Sequence, residues 1–158
     1  MSDRALVAYE RPDGDYDCHA ARWTEGLGAR LTARTPFGGR GTPVDPSPTI
    51  RGVPREELSE RVEFGRHEAL VVVDASYGTT TFVALPFGLP DATAAGGALI
   101  ESRGTLDGVY LHGWVRGFRA ALAEAIDQGF DDAIGVDRLR AEAEGLASEG
   151  RTVHVVGR

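Results

Sequence analysis

Few residues in this chain can do chemistry, and their spacing narrows what that chemistry is. The chain holds four histidines (His19, His67, His112, His154) and one cysteine, Cys18. His67-Glu68 is a candidate acid/base or metal pair, but neighbours on a strand point to opposite faces, so the two converge on one atom only if the strand begins after them. The alternative is a hydrogen bond at the strand entry. Cys18-His19 meets the same objection as a thiolate–imidazole pair, and Cys18, alternating with Tyr16 and Ala20, reads as small core filler. His19 shares the other face with Asp17 and, with Trp23 nearby, is a candidate to line a shallow pocket. The acid/base candidates are therefore His19, His67 and Glu68.

Two short motifs approach known chemistry and miss it. Asp13-Gly-Asp15-Tyr-Asp17 opens like a calcium loop, but that loop needs glycine at its sixth position and glutamate at its twelfth, where this chain has Cys18 and Thr24. Asp74-Ala-Ser76-Tyr-Gly78 approaches a nucleophile elbow, yet the first glycine is absent and Thr79-Thr-Thr-Phe-Val continues as a strand, so a hairpin turn is the expectation. The histidines have no metal-ligand spacing, and Arg34-Thr-Pro-Phe-Gly-Gly-Arg40-Gly matches neither a Walker loop nor a dinucleotide fingerprint. No metal and no cofactor is expected.

The basic residues carry a different signal. All 17 are arginine; the chain has no lysine or asparagine, and its formal charge is −7. A GC-rich genome accounts for much of that, and a saline cytoplasm is a second explanation. Residues 22–55 nevertheless carry +4 in an acidic chain. Arg40, Arg51 and Arg55 make this stretch the candidate contact for an anionic partner. In strong salt the Debye length falls to about 3 Å, so only short bidentate arginine contacts would persist. On the longest helix, His112, Arg116 and Arg119 fall at i, i+4 and i+7 and form a second candidate cationic strip, with a solvated helix face as the alternative.

The elements that must position these residues can be read from turn chemistry and periodicity. Arg11-Pro-Asp-Gly-Asp15 joins two strands into a hairpin over 5–21. A short helix is expected over 23–33, although Gly26 and Gly28 weaken it, and the Pro/Gly/Arg-rich stretch 34–53 reads as one long irregular loop. Pro54 opens a short helix to about Phe64. Ala69–Val73 and Thr79–Leu85 form a second hairpin, and 97–103 a further strand. Leu111, Trp114, Val115, Phe118, Leu122 and Ile126 place one apolar stripe on a helix over 107–128, where Gly113 and Gly117 imply close approach by another backbone or a ligand. A helix starting at Asp137 and a strand over 152–156 close the chain. The expected fold is α+β: one domain over 1–158, with about six strands in a mainly antiparallel sheet, helices packed on it.

The segments Arg4-Ala-Leu-Val-Ala-Tyr-Glu-Arg-Pro-Asp-Gly14, Thr35-Pro-Phe-Gly38, His67-Glu68 and Tyr110-Leu-His-Gly-Trp-Val-Arg-Gly117, with His19 and Trp23, resemble a family of small haloarchaeal proteins defined by a domain of unknown function. The resemblance spans most of the chain and departs from the family pattern at Ala20, Ala21 and Arg22. It implies a salt-adapted habitat and no particular reaction.

No apolar run approaches the ~18–20 residues a bilayer span requires, and the N-terminus leaves no room for a signal-peptide core of about 7–15, so a cytoplasmic protein without membrane contact is expected. The leading functional expectation is a non-catalytic binding protein that holds RNA, a ribonucleoprotein or an acidic protein through the arginine-rich loop, with the His112/Arg116/Arg119 strip as a further contact. One alternative is a small enzyme acting on a phosphorylated or nucleotide-like metabolite through its His/Glu residues. The other is an oligomerising structural subunit, a homo-oligomer.

Overall fold

The computed structural model describes residues 4–31, 44–88 and 96–157. Seven strands form one mixed, curled sheet in the order β3-β2-β1-β4-β5-β6-β7. They are β1 (Arg4–Glu10), β2 (Tyr16–Arg22), β3 (Ile50–Val53), β4 (His67–Val73), β5 (Thr79–Pro86), β6 (Gly97–Glu101) and β7 (Val153–Val156). All neighbours pair antiparallel except β1 and β4, which run parallel with Leu6 opposite Leu70. The α+β class therefore stands, with seven strands in place of about six and one parallel pair at the centre.

Side chains alternate across that sheet, and both faces are apolar. Leu6, Ala8, Leu70, Val72, Phe82, Ala84 and Leu99 meet on one face with Tyr16 and Cys18, beneath a 3₁₀ segment, Arg55–Arg61, that contributes Leu58. Phe64, which follows it, abuts Gly97 of β6 so closely that a Cβ there would collide with the ring. Cys18 is fully buried as core filler, and burial pushes its thiol up to about 11.

The opposite face is covered in two parts. Over β1 and β4 lie Trp23, Leu27 and Leu31, brought there by α1 (Leu27–Arg30) and the residues flanking it, together with Val44, which bridges to Ala21. Over β5 and β6 lie α2 (Thr105–Asp127) and α3 (Asp132–Ser148), with Leu111, Val115 and Leu139 buried on Val83, Leu85 and Ile100. The apolar stripe expected on the long helix is the one that packs. Arg151 fastens the start of α2 to the strand that follows α3, donating to both carboxylate oxygens of Asp107 at 2.7 Å and holding that carboxyl down at about 2.

Several local expectations need correction. The helix expected over 23–33 shrinks to the four residues of α1, because Gly26 adopts a left-handed conformation (φ 80°) and opens the helix only after it. Beyond residues 32–43 the stretch to 53 is not one irregular loop: Val44 bridges to Ala21, and Ile50–Val53 pairs with β2 as an edge strand. Proline on both sides hides that strand in the sequence, and Gly52 (φ 67°) donates its N–H to Asp17 Oδ1 at 3.0 Å, which accommodates an irregular register. The last helix starts at Asp132, five residues before Asp137, capped by Asp131, whose carboxylate accepts from the Ala133 N–H at 2.9 Å. Among the described residues no backbone approaches Gly113 or Gly117: a Cβ at either meets nothing within 4 Å.

Candidate functional site

The divided cover leaves a cleft of about 320 Å³ above β5, between α1 and the first turns of α2. Period two explains its lining. Along β5 the residues on this face are Thr79, Thr81, Val83 and Leu85; the last two lie in the core under α2 and α3, while the first two put hydroxyls under the gap. Ser102 and Thr105, at the entry to α2, supply two more. Glycine lets the walls close in. A Cβ at Gly28 would sit 2.6 Å from the Thr81 hydroxyl, and one at Gly108 3.1 Å from that of Ser102. The Thr79 hydroxyl donates to the Gly28 carbonyl at 3.1 Å, tying α1 to β5.

Trp23 and Glu25 form the end of the cleft nearest a second cluster. The buried His112 lies against Trp23 with ring centroids 5.0 Å apart. Its Nδ1 is 3.0 Å from the Gly108 carbonyl oxygen and 3.6 Å from Glu25 Oε1. Its Nε2 is 3.2 Å from the Glu68 carbonyl oxygen and 3.9 Å from Glu68 Oε2. Arg116 completes the set at 3.3 Å from the same carboxylate oxygen. His112 is thus a fastener between α2, the start of β4 and the segment before α1. Glu25 keeps about a third of its side chain exposed, and its carboxylate is the group that presents charge to the cleft.

The residues singled out in the sequence divide between this site and elsewhere. Trp23, Glu68, His112 and Arg116 converge. His19 does not line the cleft: it is buried in β2, with Nδ1 2.9 Å from the Asp45 carbonyl oxygen and its ring edge-on to Tyr9. His67 faces away from Glu68, as strand alternation requires, and accepts the Glu63 N–H at 3.0 Å on Nδ1. Burial holds its pKa below the ordinary histidine value. Arg119 donates to the Pro86 carbonyl, and desolvation lowers its pKa; with Arg116 paired and His112 buried, the helix strip is not a row of free cations. Arg40 lies outside the described residues. Arg51 is exposed, and the Arg55 guanidinium lies 5.9 Å from the centre of the Tyr16 ring.

The near-miss motifs are turns. Asp74 Oδ1 accepts from the Ser76 and Gly78 N–H groups and from the Ser76 hydroxyl, closing the β4–β5 hairpin. Asp13 accepts the Asp15 N–H in the β1–β2 turn. Among the described residues no cluster of three or more His, Cys, Asp or Glu could hold a metal, and no helix is long and apolar enough to cross a membrane. Sequence reasoning missed Glu25, Thr79, Thr81, Ser102 and Thr105. The legible signal was Gly26-Leu-Gly28, in which Gly26 supplies the positive φ that opens α1 and Gly28 marks a close approach to β5.

Fold and cleft together define an α+β protein with a hydroxyl-lined site above a sheet buried on both faces. The chain belongs to the family of unknown function DUF6735, whose sequence profile matches residues 1–43 and 40–155. No curated protein and no solved structure matches it.

Proposed function

We propose that the protein binds a small, hydroxylated metabolite bearing an anionic group in the cleft above β5. The carrying observation is the lining itself: Thr79, Thr81, Ser102, Thr105 and the partly exposed Glu25 line one space between α1 and α2, with the Thr79 and Ser102 hydroxyls donating to the Gly28 and Gly104 carbonyls and left to accept from a ligand. Hydroxyls donate and accept, and suit a polyol or ribose better than an apolar ligand. The α2 N-terminus opens beside Ser102 and Thr105 without a side-chain cap, which favours the anionic group at that end. Glu25, two helical turns further along, takes hydroxyl or amino groups of the ligand. It is also the group placed to move a proton in an enzymatic version of the same site, in place of the acid/base candidates His19, His67 and Glu68.

The test is thermal unfolding and calorimetric titration with sugar phosphates, nucleoside monophosphates and their unphosphorylated parents. A true ligand at 100 times its dissociation constant adds about 2.7 kcal/mol, a shift of roughly 5–10 °C for a chain of this size. Thr81→Val and Ser102→Ala should abolish the shift while costing the ligand-free protein less than about 1 kcal/mol each. Unmoved melting across the set, or a shift that both variants retain, refutes this reading.

A second reading keeps the anionic macromolecule, RNA, a ribonucleoprotein or an acidic protein, on the other side of the molecule. It is favoured by the exposed Arg51 and Arg55, on and just beyond the edge strand β3. The acidic, lysine-free composition supports a salt-adapted, cytoplasmic setting for either reading. Arg51→Ala with Arg55→Ala should release such a partner and leave cleft ligands unaffected.

A further inference from the structure

The outward side of α2 differs from every other helical surface described here. Leu106, Tyr110, Gly113, Gly117 and Ala120 follow one another at four- and three-residue steps, all exposed, with Leu106 86% and Tyr110 66% accessible. This line is opposite the stripe that packs on the sheet, and it carries no charge until Glu124. Two glycines inside a helix cost about 0.5–1 kcal/mol each relative to alanine, and no atom of the described chain lies where their side chains would be. Nothing among the described residues of one copy requires them.

The charges at the two ends say what covers the line. Arg103, immediately before α2, is exposed and makes no side-chain ion pair among the described residues, while Glu124 and Asp127 are exposed at the far end. Laid antiparallel on itself about a two-fold axis near Gly113 and Gly117, the face is self-complementary. The glycines of the two copies pass each other, Tyr110 lies over the partner's Ala120, and Arg103 reaches the partner's Glu124 and Asp127. The opposed helix dipoles add to the fit.

We propose that this face is a two-fold interface between copies of this chain. A 23-residue helix is about 35 Å long and roughly 10 Å wide, so the two copies together bury on the order of 700 Å². That is below the standard interface size of about 1,600 Å², and the dimer is accordingly reversible, populated at high protein concentration.

Sedimentation equilibrium on the full chain at low salt, from low to high micromolar concentration, tests it. Wild type should associate to a dimer. Gly117→Arg should raise the dissociation constant at least about tenfold, and Arg103→Glu should weaken association in the same direction. Combining Arg103→Glu with Glu124→Arg and Asp127→Arg should restore wild-type affinity, because each copy then presents the same pairs with the signs exchanged. Circular dichroism should show all variants folded, since every altered position is exposed. A monomer at all concentrations, a dimer that none of the substitutions moves, or a charge exchange that fails to recover association overturns the proposal.

Discussion

The two faces of the sheet answer the same burial problem in different ways. One is closed by a single core, to which a seven-residue 3₁₀ segment contributes Leu58 as its buried residue. The other is shared between α1 and the α2–α3 pair, and the seam between them is the cleft. β5 serves both. Phe82 and Ala84 close the first face, while Thr79, Thr81, Val83 and Leu85 pass from cleft to core along the second. A sheet can therefore be sealed on one side and open on the other through the choice of residue at alternate positions of one strand.

The largest expected effect is on the closed face. Leu58→Ala should destabilise by about 2–5 kcal/mol in urea unfolding, since it removes the 3₁₀ segment's buried anchor. Thr81→Val on the open face should cost less than about 1 kcal/mol. Equal costs would break the comparison. Next comes the clamp at the rim of the open face. The Asp107 carboxyl sits at about 2 against its ordinary 3.8, so it stabilises the fold above about pH 4, and that contribution is lost as pH falls toward 2. Asp107→Asn should lose on the order of 1–2 kcal/mol at neutral pH, and wild type should converge on the variant near pH 2. Smallest is the effect at His67, which enters the sheet at the start of β4. Burial lowers its pKa, so the unfolded chain takes the proton first and stability declines as pH drops through the ordinary value of 6.5. His67→Gln should flatten that decline; an unchanged pH profile would exclude His67 as its source.

What the sequence made legible follows from distance along the chain. The β1–β2 hairpin was readable because Pro12, Asp13 and Gly14 fix its turn locally, and the α2 stripe because six apolar residues keep the helical period. The β1–β4 pairing was not readable, since nothing local tells Leu6 that its neighbour is Leu70. The site failed for a related reason. Trp23, Glu68, His112 and Arg116 were each noticed for their chemistry, but they come from three separate elements. Thr79, Thr81 and Ser102 fall in segments that read as ordinary strands, and only α1, packed above them, makes them cleft residues. The arginine loop drew attention by composition, and its central residue, Arg40, lies outside the described residues.

The parallel pair at the centre of the sheet also sets an order of events in time. The β1–β2 hairpin leaves the ribosome before β4, and the inner edge of β1 stays unsatisfied until residues 67–73 have been made. Bringing Leu6 to Leu70, 64 residues on, costs roughly 3–4 kcal/mol in loop-closure entropy. During that interval the nascent chain displays an apolar strand edge able to pair with a neighbouring chain, and a protein this acidic has in its own charge repulsion a means of keeping those edges apart.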